Sequence, residues 1–127
     1  MKSSSTFYPE QQLMRRATSW ALRLRVNPTK IVIAQLPQKW GSCSTDGVVT
    51  FAEDLATAEA EFQDFVIVHE LLHLRYRSHG RMFKAMMTAL VPEWREHESR
   101  SRHATERRLS RSQPELASSP DDRLRRR

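Results

Sequence analysis

Residues 65–74 read Phe-Val-Ile-Val-His-Glu-Leu-Leu-His-Leu. A helix over about residues 58–77 is apolar on almost every side in this segment, and only His69, Glu70 and His73 interrupt it. Helices that are apolar all round are buried in the core of a protein. Polar side chains on such a helix must find partners inside the protein, because burying them unpaired is costly. The sequence therefore predicts a central helix whose three polar side chains interact with one another or with a ligand.

The spacing of His69, Glu70 and His73 matches a metal site. Positions i and i+4 lie on one face of a helix, so both imidazoles can reach one ion while Glu70 faces the side where a bound water would lie. The alternative interpretation is that both histidines are core residues bonded to backbone groups, with Glu70 at a solvent edge. We favour the metal site, because two histidines and a glutamate on one buried helix need a common explanation.

A third ligand is predicted from the segment just after the helix. Residues 78–80 read Ser-His-Gly, a composition typical of a turn, and a chain reversal there could bring His79 back to the same ion. Three protein ligands and a water are the arrangement of catalytic zinc, whereas structural zinc has four protein ligands. If His79 is not the third ligand, the remaining candidates are His97, His103 and Glu93.

Other segments predict the elements around this helix. Apolar residues repeat at helical spacing over about residues 9–25, and a Met- and Phe-rich helix is predicted over about 81–91. Gly47 can form the turn between the last two of three predicted strands. The predicted strands cover residues 31–34, 39–44 and 48–51.

The net charge of +6 is concentrated near the end of the chain. Residues 95–127 contain ten arginines and six acids, and a helix is expected to continue to about Leu109. Residues 110–127 have the composition of a disordered segment. We interpret the basic tail first as a solvated segment and second as a possible contact for nucleic acid.

The cysteine content and the apolar runs predict a cellular location. Cys43 is the single cysteine, so an intrachain disulfide is impossible, as is typical of a reducing compartment. Residues 1–12 lack the apolar segment of a secretory signal. The longest apolar run before the histidines, residues 65–68, is too short to cross a membrane. These features predict a cytoplasmic protein without a membrane partner.

Several motifs taken together resemble one family. Gln-Lys-Trp-Gly-Ser-Cys-Ser at residues 38–44 precedes Val-Ile-Val-His-Glu-Leu-Leu-His-Leu at 66–74, with His79, Phe83 and Pro-Glu-Trp at 92–94 following at similar spacing. Over about residues 30–96 the chain resembles the YgjP-like metallopeptidase domain family. The resemblance implies an α+β, small zincin-like fold, in which a three-stranded, mainly antiparallel sheet packs on the buried zinc-binding helix with flanking helices.

The resemblance also implies a function. His69, His73 and His79 would bind one zinc ion per chain, and Glu70 would activate the zinc-bound water that attacks a peptide carbonyl. The peptidase domain is expected to cover residues 1–96. Residues 97–127 would form an arginine-rich helical extension and a disordered tail.

The predicted substrate site is the strand at residues 39–44. In zincins generally an edge strand binds an extended peptide by strand addition, and the candidate contacts here are Trp40, Gly41, Ser42 and Cys43. The alternative is that Trp40 belongs to the core and Cys43 is a small buried apolar residue.

The chain departs from the family pattern in three places. Ala52 stands where an asparagine is expected, and Lys84 stands where a tryptophan usually follows Phe83. The part before the sheet is also shorter than usual. These departures bear on the lining of the substrate pocket and leave the metal ligands intact.

Two other functions fit parts of the sequence. The basic residues near His79 suit an anionic substrate, as in metal-dependent hydrolysis of a nucleotide phosphoanhydride, although no glycine-rich phosphate loop is present. The arginine-rich residues 97–127 suit nucleic-acid binding, with or without proteolysis. The basic residues in question are Arg75, Arg77, Arg81 and Lys84.

Overall fold

The computed structural model describes residues 8–112, with side chains up to residue 105. Five helical elements and three strands follow one another along this part of the chain. In order they are α1 (Pro9–Leu24), β1 (Lys30–Ala34), β2 (Gly41–Cys43), β3 (Val48–Ala52), a 3-10 helix (Glu53–Thr57), α2 (Ala60–Leu72), α3 (Arg81–Leu90) and α4 (Trp94–Ser112). The predicted α+β class is confirmed. Within the described residues, no helix combines the length and the apolar composition needed to span a membrane.

The strand directions differ from the prediction in one respect. The sheet has the order β1-β3-β2, and β2 pairs with β3 in antiparallel fashion around a turn at Gly47, whose φ is 90°. However, β1 pairs with β3 in parallel, from Lys30 opposite Val48 to Ala34 opposite Ala52. The expectation of a mainly antiparallel sheet is therefore wrong for the longer strand pair. Residues 35–40 connect β1 to β2, and this connection is long enough to leave room for one strand between them. Strand β3 occupies that place.

The buried helix predicted from residues 65–74 is α2. Most of its residues are buried, including Ile67, Val68 and Leu71, which are fully inaccessible. Buried Gln63 donates through Nε2 to the carbonyls of the preceding 3-10 helix, with 2.9 Å to Leu55 O, so its burial leaves no polar group unpaired. Helix α2 contacts α1, two strands of the sheet, α3 and α4, and it therefore forms the centre of the core.

Helix α1 packs on this core with the face that the sequence predicts. Its buried residues recur at spacings of three and four, as an amphipathic helix requires. The helix ends where Arg25 adopts the left-handed conformation, with φ of 58°. The buried residues are Leu13, Ala17, Trp20, Ala21 and Leu24.

One carboxylate joins α1 to α2. Asp64 on α2 accepts hydrogen bonds from Arg16 Nε at 2.7 Å and from Trp20 Nε1 at 2.8 Å. The guanidinium of Arg23 lies 4.1 Å above the Trp20 ring. Charge-assisted hydrogen bonds are stronger than neutral ones, so Asp64 fixes the orientation of α1 on α2.

Helix α4 packs on α2 through its first turns. Trp94 and His97 are buried, and the His97 ring stacks on Phe65 with centroids 5.6 Å apart. The helix continues to Ser112, three residues past the predicted end at Leu109. The predicted domain boundary at residue 96 falls inside α4 and stays a prediction. The predicted disorder of residues 113–127 lies outside the described residues.

We expect Asp64→Ala to lower the free energy of unfolding by about 1–3 kcal/mol. The indole N–H of Trp20 loses its acceptor, while solvent screens part of the loss at the partly exposed Arg16. Chemical denaturation followed by circular dichroism measures the change. Arg15→Ala, at the exposed neighbouring position on α1, serves as the control and should change stability by less than about 0.5 kcal/mol. Equal stability of Asp64→Ala and the wild type would contradict the role of this carboxylate.

Candidate metal centre

The end of α2 determines where its polar residues lie. Helix α2 stops at Leu72, earlier than the predicted end at residue 77. The last backbone bonds tighten to i→i−3 spacing, with His73 N to Glu70 O at 3.1 Å and Leu74 N to Leu71 O at 3.0 Å. Such a tightened turn is a common helix ending. It frees residues 74–80 to reverse direction before α3 begins.

The reversal brings three imidazoles together. Each of His69, His73 and His79 offers one nitrogen, and these three atoms lie within 4.8 Å of one another. The Nε2 atoms of His73 and His79 are 3.0 Å apart. Two nitrogens bound to one tetrahedral zinc at about 2.0–2.1 Å would be separated by roughly 3.3 Å. The donor set and its spacing therefore fit a single ion.

Hydrogen bonding determines which nitrogen of His73 is available. Its Nδ1 lies 2.9 Å from the carbonyl oxygen of Tyr76, so a proton on Nδ1 is donated to that carbonyl. The lone pair then resides on Nε2, which faces His79. A backbone acceptor on the second ring nitrogen is the usual way in which proteins orient a metal-binding histidine.

Phe83 supports the three imidazoles from α3. This side chain is 2% exposed. Its ring centroid is 5.2 Å from that of His69 and 4.8 Å from those of His73 and His79. The Phe83 ring stacks on His73 and lies at a steep angle to the other two, so one apolar surface limits the movement of all three.

The pKa of His79 is lowered from its ordinary value. Partial burial is the main cause, and the neighbouring His69 and His73 rings act in the same direction. The carboxylates of Glu98 and Glu70 act against this shift. This lowering of the pKa favours the neutral form of His79, which is the form that binds a metal ion.

Glu70 lies beside the triad formed by His69, His73 and His79, and its side chain is in contact with residues on two sides. It is 8% exposed, and its Oε2 is 3.3 Å from His69 Nδ1. On its other side lies Gly41 of β2, where a Cβ atom would stand 2.8 Å from Glu70 Cγ and 3.2 Å from Thr50 O. The lack of a side chain at Gly41 therefore makes room for the Glu70 side chain. The alternative that Glu70 lies at a solvent edge does not describe this position.

An open cleft of about 770 Å³ runs past these residues. One wall is formed by Gly41 and the residues just before it, and the opposite wall is formed by α4. Trp40 Nε1 donates to Ser101 O at 3.4 Å, which joins the two walls. The lining residues are Gln38, Lys39, Trp40, Gly41, Phe65, Val66, His69, Glu70, His79, Glu98, Ser101, Arg102 and Thr105.

The predicted substrate residues divide into two pairs. Trp40 and Gly41 line the cleft, whereas Ser42 and Cys43 lie further along β2 and are not among the lining residues. Burial raises the pKa of the Cys43 thiol, Glu70 adds to the effect, and Arg77 opposes it. A protonated thiol is a poor metal ligand, since the thiolate is the form that binds.

The other candidates for a third ligand lie apart from the triad. His97 is buried between Phe62 and Phe65, and its Nδ1 is 3.0 Å from the Arg100 guanidinium. Neither His103 nor Glu93 belongs to the group of closely spaced donor atoms. Among the side chains that the structure describes, His79 is the one that completes the group.

Sequence reasoning missed the wall formed by α4. Four of its residues line the cleft, although the segment looked like a polar extension. The helical spacing of Trp94, His97 and Ser101 could have predicted that one face of α4 packs against the core. The lining residues on α4 are Glu98, Ser101, Arg102 and Thr105.

Comparisons with known proteins identify the family and the fold. The family model for the YgjP-like metallopeptidase domain matches residues 5–103. Among solved structures, the metallopeptidase zymogen of Pyrococcus abyssi abylysin has a similar fold, with a TM-score of 0.53 and 20% sequence identity. The match covers 82% of this chain and 94% of that chain. A search of curated proteins gives no match. The chain thus belongs to the YgjP-like metallopeptidase domain family, which supports a metal-dependent peptidase.

Proposed function

We propose that the protein is a zinc peptidase in which His69, His73 and His79 bind the ion and Glu70 is the general base. The observation that carries this proposal is the convergence of three imidazoles beside a buried carboxylate, within an open cleft. Imidazole donors suit zinc, and three protein ligands are typical of its catalytic sites. A bound zinc ion would polarise the scissile carbonyl and lower the pKa of water to about 7.

Glu70 carries out the proton transfers in this proposal. Its carboxylate takes a proton from the attacking water and then passes it to the leaving amine. Burial and the contact with Gly41 restrict the side chain to one side of the triad. A base held in this way needs no reorganisation during the reaction, which is the main contribution of a preorganised site.

Strand β2 is proposed to bind the substrate backbone. It is the last strand of the order β1-β3-β2, so one of its edges has no neighbouring strand in the described sheet. Trp40 and Gly41, at the start of this strand, line the cleft, which supports the proposal. An extended peptide could add to it by main-chain hydrogen bonds, next to Glu70 and the histidines.

The phosphoanhydride alternative gains no support from the site. The four basic residues that suggested it, Arg75, Arg77, Arg81 and Lys84, are not among the residues that line the cleft. Arg75 instead donates to the carbonyl oxygen of Arg25 at 3.4 Å. Nucleic-acid binding by residues 97–127 stays a separate proposal, since most of that segment has no described side chains.

We expect Glu70→Gln to lower kcat for peptide cleavage by at least about 100-fold while zinc remains bound. The amide keeps the shape of the side chain but cannot accept the proton. Cleavage of an unfolded protein is measured with stoichiometric zinc, after chelation, and with nucleoside triphosphates offered in parallel. Glu61→Gln, at an exposed position on the same helix, is the matched control. Turnover of triphosphates alone, or cleavage that survives Glu70→Gln, would overturn the proposed function.

Phe83→Leu should weaken zinc binding by about tenfold or more, because the three imidazoles lose the ring that limits their movement. Competition with a chromophoric chelator measures the Kd. The control is Phe62→Leu, the same change at a buried ring that packs on Trp40 and Phe65. If both variants bind zinc as the wild type does, Phe83 has no role in positioning the ligands.

Gly41→Ala should lower kcat by about tenfold or more and leave the zinc Kd within about twofold of the wild type. The added methyl group would displace Glu70, which is 2.8 Å from the position of the new Cβ atom. Steady-state kinetics and chelator competition on the same preparation separate the two effects. Unchanged kcat would show that Glu70 does not depend on the space at Gly41.

A further inference from the structure

The cleft-facing side of α4 carries opposite charges one turn apart. Trp94, His97 and Ser101 lie on the face of α4 that meets the core. Glu98 and Arg102 lie on the neighbouring face and line the cleft. Both are exposed, so their charges are available to a molecule that enters the cleft.

Glu98 is the acidic group at the metal end of this wall. It lines the same cleft as His69 and His79. Its neighbour His97 stacks on Phe65, whose ring packs against His69 with centroids 5.9 Å apart. Arg102 lies four residues further along the helix, which corresponds to about 6 Å along its axis. Among the side chains that the structure describes, neither Glu98 nor Arg102 forms an ion pair.

Contacts of Trp40 connect α4 to the start of β2. Trp40, immediately before β2, donates to Ser101 O, and its ring packs edge-on against Phe62 with centroids 5.2 Å apart. Glu98 and Arg102 therefore line the same cleft as Trp40 and Gly41 at the start of β2. A peptide on that edge would lie between the strand and the two charges.

The spacing of these charges matches that of an extended peptide. A strand advances about 3.3 Å per residue, and its side chains point alternately to opposite sides. Residues i and i+2 of a bound peptide thus point to the same side and lie about 6.6 Å apart. This distance is close to the one-turn separation of Glu98 and Arg102.

We infer that Glu98 and Arg102 determine substrate specificity, selecting peptides with a basic side chain beside the scissile bond and an acidic side chain two positions away. The inference rests on the proposed function, because it takes the cleft as the peptide site. Opposite charges favour the matching register, and a peptide with the reversed order places like charges together, which is unfavourable.

Binding to the zinc-loaded Glu70→Gln protein tests the inference without requiring catalysis. Four labelled peptides of equal length differ only in a central triplet: Lys-Ala-Glu, Glu-Ala-Lys, Lys-Ala-Lys or Glu-Ala-Glu. We expect one of the two mixed-charge orders to bind about three- to tenfold more tightly than the other three peptides. The preference should weaken at high ionic strength.

Exchanging the two charges gives the decisive result. The double variant Glu98→Arg, Arg102→Glu should prefer the opposite mixed-charge order, and Glu98→Gln alone should remove most of the preference. Glu96→Gln, at an exposed position of α4 outside the cleft, is the control and should keep the wild-type preference. An unchanged preferred order after the exchange, or equal binding of all four peptides, would overturn the inference.

The two proposals fail in different ways. If the wild-type protein binds one order preferentially but cleaves no peptide, the proposed function is wrong, and the charge preference is a property of a binding cleft rather than of a peptidase. If it cleaves with zinc and Glu70 but with no charge preference at either position, the peptidase proposal stands and the inference is wrong.

Discussion

The fold depends on how a buried helix accommodates polar side chains. Helix α2 is surrounded by apolar residues, and a carboxylate or an imidazole without a partner there would cost several kcal/mol. The structure places Glu70 and the two histidines at its last turn, where they meet each other and the returning His79. Their polar atoms are therefore partnered, and the same placement opens them to the cleft.

This constraint also accounts for the early end of α2. A helix continuing to residue 77 would carry the chain away from His69. Ending at Leu72 leaves the carbonyl of Tyr76 facing His73 Nδ1 and lets His79 return to within 3.0 Å of His73. The grouping of the three histidines and the chain reversal thus depend on each other. Phe83, in the first turn of α3, packs against all three imidazole rings.

Local patterns predicted the parts of the fold that depend on local interactions. The periodicity of α1, the apolar character of α2 and the turn at Gly47 each follow from neighbouring residues. The parallel pairing of β1 with β3 could not be predicted in the same way, because strand order depends on contacts between distant segments. The close approach of Gly41 to Glu70 likewise involves residues 29 positions apart and leaves no periodic signal.

The composition of α4 explains why the sequence did not predict that this helix forms a wall of the cleft. Among the side chains of α4 that the structure describes, Trp94 and His97 are the buried ones, and His97 packs on Phe62 and Phe65 of α2. The other faces are therefore free of packing constraints and can carry charges at little cost in stability. Glu98 and Arg102 lie on such a face and line the same cleft as His69, His79 and the buried Glu70. In the proposed peptidase, the catalytic residues and the charges of the cleft thus belong to separate elements. Substrate preference could then change on α4 while the residues around His69 and Glu70 stay the same.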